Sequence, residues 1–440
     1  MLYAGGSNRE YLMNMRKLSI MAISAALMIS VAATSGPAGK KMVDAAGMTR
    51  GERIAAVTGQ VMSGSEIREN LRVLCDEIGG RVTGTEAGRK ARDFAERTFA
   101  GYGLENVRQE SFDMFGWEGG DVRAEVISPR AFRLDALALA YTPSTKPGGL
   151  EAEVIDAAHG NPVELDKIGD ELKGRFALVE SGRMPGGRWM HRSEVMAEVA
   201  KRGAVGMLYQ NRREGSLPVL GMCWHGGLSP IPGIGISKEG GESIRRMLER
   251  GEKVVLRLTA DNLSGDIRSA NVVAEIPGTG TDVVVIGAHL DSWANGQGAV
   301  DNGTGSVSLI EAARAIRATG IRPEATIRFV LFMGEEMGLD GSRSYVEMHA
   351  GELDRHRAMI NLDMEGTPLG LRAMGREKAG SWLTGLLDDL DAFDLTEGIS
   401  FRASLYGDHH FFLLAGVPVL MPISRVENDA ARYYHLSLIH

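Results

Sequence analysis

The chain has 440 residues, 44% of them apolar and 24% charged, an ordinary globular balance with room for two or three domains. Its net charge of −8 argues against a nucleic-acid binder, which needs a basic face. Two cysteines, Cys75 and Cys223, are too few for a disulfide framework or a thiolate zinc site; pairing with each other stays open, and the preferred reading is buried and free.

The N-terminus carries a targeting pattern. Arg16 and Lys17 precede the almost wholly apolar stretch Leu18 to Ala32, small residues follow at Val31-Ala32-Ala33, and Gly36-Pro37 breaks the helix. This reads as a cleaved signal peptide over 1–33, with Met13 or Met15 as the true start. The stretch is short for a membrane span of ~20 residues. The expected location is therefore secreted or periplasmic, with no stable membrane span after cleavage.

Beyond the leader, Glu66 to Ile78 has apolar residues at helical spacing (Ile67, Leu71, Leu74, Ile78), and Gly79-Gly80 ends it. Thr83-Gly84-Thr85-Glu86 reads as a turn into a helix over Ala87 to Gly101, and Val107 to Phe115 as a strand. From Arg123 to Thr259 the texture changes. Phe176 to Val179, Gly206 to Tyr209 and Val254 to Leu258 read as strands, Glu194 to Arg202 and Glu242 to Glu249 as helices, with glycine in many loops. That region reads as a separate, β-rich insertion over 123–262, between an N-terminal part of the main domain (34–122) and its C-terminal part (263–435).

From Asn271 strand and helix alternate. Strands are expected at Val283 to Ala288, Ala325 to Met333, Ala358 to Leu362 and Val417 to Ile423. Helices are expected at Gly303 to Ala318, Leu339 to His349 and Trp382 to Leu390. Apolar strands in such alternation predict an α/β fold with a mixed, mostly parallel sheet covered by helices on both faces.

Ligands of such sheets bind beyond the carboxyl ends of the strands. The first strand runs into His289-Leu290-Asp291, the second into Gly334-Glu335-Glu336 and the third into Asp363. Asp301 precedes a helix, and His435 follows the last strand. Two imidazoles and three carboxylates, one of them shared, can give two divalent ions three ligands each and leave positions open, a set that suits zinc. One carboxylate remains for proton transfer.

Each element has an ordinary reading when taken alone. Asp301 could be a helix N-cap, and Glu335-Glu336 a solvated helix start. The glycine-rich run Gly296 to Gly305 could be a dinucleotide loop, but Asp301 stands where the third glycine belongs and would repel a pyrophosphate. His159, His191, His225, His349 and His356 read as surface or hydrogen-bonded core residues. The scattered methionines read as core filler.

His289-Leu290-Asp291, Asp301 to Gly305, Glu335 to Ser342, Asn361-Leu362-Asp363 and Tyr434-His435 together resemble the zinc aminopeptidase and glutamate carboxypeptidase family of two-zinc exopeptidases. Asp291-Ser292-Trp293, Gly296 to Ala299 and Arg81 to Thr85 point to its plasma glutamate carboxypeptidase branch. The resemblance implies a phosphorylase/hydrolase-like zinc-exopeptidase fold with an inserted protease-associated domain. It implies two Zn2+ ions: His289 and Asp363 on one, Glu336 and His435 on the other, and Asp301 bridging. It gives Glu335 the role of general base and acid, and Asp291 that of accepting a hydrogen bond from His289. It sets Tyr406, Asp408 and His409 near the substrate pocket.

The implied reaction is hydrolysis of the terminal peptide bond of dipeptides or short peptides by a metal-bridged hydroxide. The expected partners are a short peptide substrate and, in the assembly, a second copy as a homodimer. Two alternatives stay open: a single-zinc transferase related to glutaminyl cyclases, and a non-catalytic receptor-like protein on the same fold. The polarity of cleavage is also open. Leu436 to His440 reads as a non-native end of a truncated chain, since the family continues with a turn and a long helix.

Overall fold

The computed structural model describes residues 47–180, 189–390, 393, 395–426 and 435. The expected signal peptide, Tyr434 and the segment 436–440 lie outside them. Strands run in chain order as β1 (Glu105–Glu118), β2 (Val122–Ser128), β3 (Phe132–Arg133), β4 (Ala136–Ala138), β5 (Leu150–Asp156), β6 (Phe176–Glu180), β7 (Gly206–Gln210) and β8 (Gly233–Ile236). They continue as β9 (Val255–Ala260), β10 (Leu263–Ile276), β11 (Val283–His289), β12 (Thr326–Phe332), β13 (His356–Asn361), β14 (Thr367–Arg372), β15 (Gly398–Ser400) and β16 (Val419–Arg425). The described residues form two compact units, one within 47–112, 268–335 and 339–435, the other within 113–267 with 336–338.

The first unit is built on a sheet of order β1-β10-β12-β11-β13-β16-β14-β15. Its centre is parallel: β11 pairs with β12 and β13, and β13 with β16. Antiparallel pairs flank that centre, β10 with β12 and β14 with β16. All seven residues of β11, Val-Val-Val-Ile-Gly-Ala-His, are buried, as befits a central strand covered on both faces.

The helix Thr304–Ala318 buries eleven residues, including Leu309, Ile310 and Ile316. Its one buried acid, Glu311, is paired with Arg314 at 2.6 Å and accepts the Glu66 backbone N–H at 3.2 Å, so no charge is buried alone. The Glu66 to Ile78 pattern forms an α-helix over Ile67–Arg72 that widens into a π-helix over Val73–Ile78.

On the interior strand β12, Arg328 makes ion pairs with Glu275 at 2.6 Å and Glu352 at 2.7 Å. His349 joins Glu352 to Glu110. His349 and His356 are thus hydrogen-bonded core residues, as expected.

The second unit holds a sheet of order β3-β2-β9-β5-β6-β7-β8-β4, in which β5 through β8 run parallel. One apolar cluster around Phe176, Leu208 and Ile244 and another around Leu165, Val199 and Tyr209 give it cores of its own. The two cysteines are buried and free. No helix among the described residues is long and apolar enough to cross a membrane.

Candidate metal centre

Register brings the chemistry together. His289, the last residue of β11, sits opposite Phe332, the last of β12, and Gly287 opposite Asn361, the last of β13. The loops that leave these ends carry Asp291, Glu335 with Glu336, and Asp363 to one rim of the sheet. The ligand atoms of His289, Asp301 and Asp363 lie within 4.8 Å of one another, as do those of Asp301, Glu336 and His435. Asp301 belongs to both groups. Its Oδ1 is 3.0 Å from His289 Nε2, and its Oδ2 is 3.5 Å from His435 Nε2. Asp363 Oδ1 is 3.4 Å from His289 Nε2. His289, Asp301, Glu336 and His435 are buried, and Asp363 is partly so.

This donor set fits divalent cations. Several acids crowded into a buried rim repel one another, and a cation between them removes that cost. His289 Nε2 makes no hydrogen bond of good geometry, although carboxylate oxygens surround it. Burial alone would depress the imidazole, but Glu335, Asp291, Asp301 and Asp363 outweigh it and hold it protonated well above its usual range. Burial would likewise raise Asp301, yet His289, His435 and Arg81 keep it below the usual carboxylate range. Desolvation drives Glu335 well above that range, with the charges of Asp363, Asp408 and Asp301 adding and His289 opposing.

Supporting contacts fix the ligand-bearing loops. Asp291 was expected to accept from His289. The nearer oxygen to His289 Nδ1 is the Asp291 backbone carbonyl at 3.1 Å, with the carboxylate at 3.7 Å. The carboxylate instead accepts from the Thr83 hydroxyl at 3.1 Å and the Glu335 backbone N–H at 3.3 Å. Thr83 in turn accepts the Gly334 N–H at 2.8 Å. Asp291 thereby ties the histidine strand to the glutamate loop.

The Asp301 segment is held by Asn302, whose amide donates to Leu362 O at 2.9 Å and accepts from Gly305 N and Met364 N. Gly305 has no room for a side chain: a Cβ there would stand 2.2 Å from Asn302 Oδ1 and 2.5 Å from Leu362 O.

Tyr406, Asp408 and His409 occupy different surroundings. Asp408 is buried, and desolvation raises it to about 7 while His289 and Ser342 oppose and Asp291 and Asp363 add. It is thus a neighbour of the ligand cluster. His409 is buried and its Nε2 lies 2.9 Å from Ser404 O, whereas Tyr406 is exposed.

Sequence reasoning gave Arg81 no role. It is fully buried, and its guanidinium donates to Leu290 O at 2.5 Å, Gln297 O at 2.9 Å and Gly298 O at 2.8 Å. Asn302 was missed in the same way. The one available signal was that both lie inside motifs otherwise made of turn and ligand residues.

Residues 271–438 match the model of peptidase family M28. Carboxypeptidase Q of Rattus norvegicus is 33% identical over 381 residues, covering 84% of this chain and 79% of that one. The chain belongs to peptidase family M28. Aminopeptidase YwaD of Bacillus subtilis (strain 168) is 28% identical, over 67% of this chain and 60% of its own.

Among solved structures, a peptidase M28 precursor from Shewanella amazonensis SB2B superposes with a TM-score of 0.74 at 26% identity, over 87% of this chain and 88% of that one. BSAP, a zinc aminopeptidase from Bacillus subtilis, shares the fold with a TM-score of 0.67 at 23% identity, over 84% and 87% of the two chains. This M28 member is a metallo-exopeptidase, and the zinc-peptidase resemblance carried by its motifs is upheld.

Proposed function

We propose that the chain hydrolyses terminal peptide bonds of dipeptides or short peptides with two zinc ions. The observation that carries this is Asp301, whose two carboxylate oxygens face two different imidazoles. His289 and Asp363 would hold one ion, and Glu336 and His435 the other, with Asp301 common to both. Ions held there supply Lewis acidity toward an attacking water and the scissile carbonyl.

The remaining work falls to the chain's own groups. Glu335 takes the proton of the attacking water at a carboxylate oxygen and returns it to the leaving amine nitrogen. Asp291, through the Glu335 backbone N–H and through Thr83, fixes where that carboxylate stands. The second unit, strand-rich and inserted, corresponds on this reading to a protease-associated domain. The Arg16-Lys17 and Leu18 to Ala32 pattern supports an extracytoplasmic site of action.

The test is metal content together with turnover. Mass spectrometry of the native protein is expected to find two zinc ions per chain, alongside hydrolysis of unblocked dipeptides. One ion per chain with cyclisation of N-terminal glutamine would favour the transferase reading instead. Metal binding with no turnover of any peptide would favour a receptor.

A further inference from the structure

A cavity of about 690 Å³ is lined by Arg372, Arg402, Ala403, Ser404, Leu405 and Tyr406. Two guanidiniums and two hydroxyls face it, and among the described residues no carboxylate stands on its wall. Elsewhere on this unit arginines are matched by acids, as in Arg357 with Asp282 and Arg314 with Glu311. Among the described residues neither Arg372 nor Arg402 has such a partner, and Arg372 Nε is buried with no hydrogen-bond acceptor. Arg372 is also rigidly held: it ends β14, in register with Met421 of β16 on one side and Ser400 of β15 on the other.

The cavity adjoins the metal-ligand cluster through its own wall. Tyr406 is followed by Gly407, whose φ is +110° and whose Cβ, if present, would stand 3.4 Å from Asp363 Oδ2 and 3.3 Å from Asn361 Nδ2. His409 spans the same gap, with its Nε2 bonded to Ser404 O on the cavity wall. Consecutive Cα atoms are ~3.8 Å apart, so a peptide bond held at Asp363 sets the carboxyl end of a short peptide one or two residues away.

We infer that the Arg372–Arg402 cavity anchors the free C-terminal carboxylate of the substrate, so that the substrate class is short peptides with an unblocked carboxyl end. This rests on the peptidase reading above and gives it a polarity. Two guanidiniums in a cavity with no acid among its described lining residues recognise a carboxylate by charge-assisted bonds, and Arg presents the planar donor fork that a carboxylate matches. Leu405 and Tyr406, both largely exposed, supply apolar surface for the side chain next to that carboxylate.

The experiment compares Leu-Ala with Leu-Ala amide on the zinc-loaded, full-length enzyme. The free acid is expected to be cleaved with the higher kcat/KM by at least about 10-fold. Arg402→Gln, at an exposed position, and Arg372→Met are each expected to bring that ratio down toward 1, chiefly through a raised KM for the free acid. A parallel calorimetric titration of the zinc-loaded Glu335→Gln protein is expected to show tighter binding of Leu-Ala than of its amide.

Equal cleavage of acid and amide by the unaltered enzyme overturns the anchor and leaves the peptidase reading standing. So does an acid preference that survives both arginine substitutions. Cleavage of neither peptide, with the titration still favouring the acid, supports the anchor and overturns the peptidase reading.

Discussion

Glu335 stands where acids crowd one another, and its role separates cleanly from those of its neighbours. A glutamine there keeps the shape and removes the proton-transfer function. Glu335→Gln is expected to retain the metal content of the parent and to lose about 10²- to 10⁴-fold in kcat, as measured by mass spectrometry and dipeptide turnover on the same preparation.

Glu365 offers a second test. It is buried and bonded to Ser424 Oγ at 2.7 Å, and burial, with a contribution from Asp363, raises its carboxyl to about 8. An acid whose native pKa lies above its unfolded one adds stability at low pH. That contribution fades as pH rises from the unfolded value toward the native one. The parent is therefore expected to lose stability, on the order of a few kcal/mol from this group, between pH 5 and pH 8. Glu365→Gln is expected to flatten that decline and to raise Tm at pH 8 relative to the parent. Parallel thermal melts at the two pH values check it.

The loop after β11 depends on a residue more than two hundred positions upstream. Three of its carbonyls, those of Leu290, Gln297 and Gly298, accept from Arg81. Arg81→Met strips these buried acceptors of their donor, at a cost of roughly 3 kcal/mol or more. It is expected to lower Tm and to weaken zinc retention together, read by melting and by competition with a chelator.

How much of this was readable beforehand follows from the kind of signal each element carries. β11 and β12 were found almost to the residue, because a buried parallel strand is an unbroken apolar run. The helix before Glu66 went unseen: Arg50–Gly64 is capped by Thr49 and Glu52, but its apolar face, with Ile54, Val57 and Val61, is thin. β14 and β15 were missed because Pro368, Gly370 and Gly398 interrupt them, and the pairing of β14 with β15 on one side and β16 on the other is a long-range fact. The ligand residues could be read because their chemistry is rare at strand ends. Arg81 and Asn302 could not, since their partners are backbone atoms that leave no mark in composition.

At the scale of the whole molecule, the ligands come from segments spread over 147 positions, from His289 to His435, and any ion they share ties those segments together. A ligand that binds only the folded chain stabilises it by mass action, about 2.7 kcal/mol at a hundred times its Kd. Chelation is therefore expected to lower Tm by several degrees, and added zinc to restore it, in calorimetric scans at fixed pH. The α/β architecture itself followed from alternation. The limits of the second unit, at 113–267 with 336–338, run past the texture change at Arg123 and Thr259, because β1 and β10 continue unbroken across both boundaries.

The reach of Arg81 across so much of the polypeptide has a temporal meaning. A ribosome releases the early helices long before the histidine loop, and the clamp closes only when both are present and docked. Competence to cut is thus a late event in assembly. A chain that has not yet released the histidine loop lacks the carbonyls that Arg81 holds.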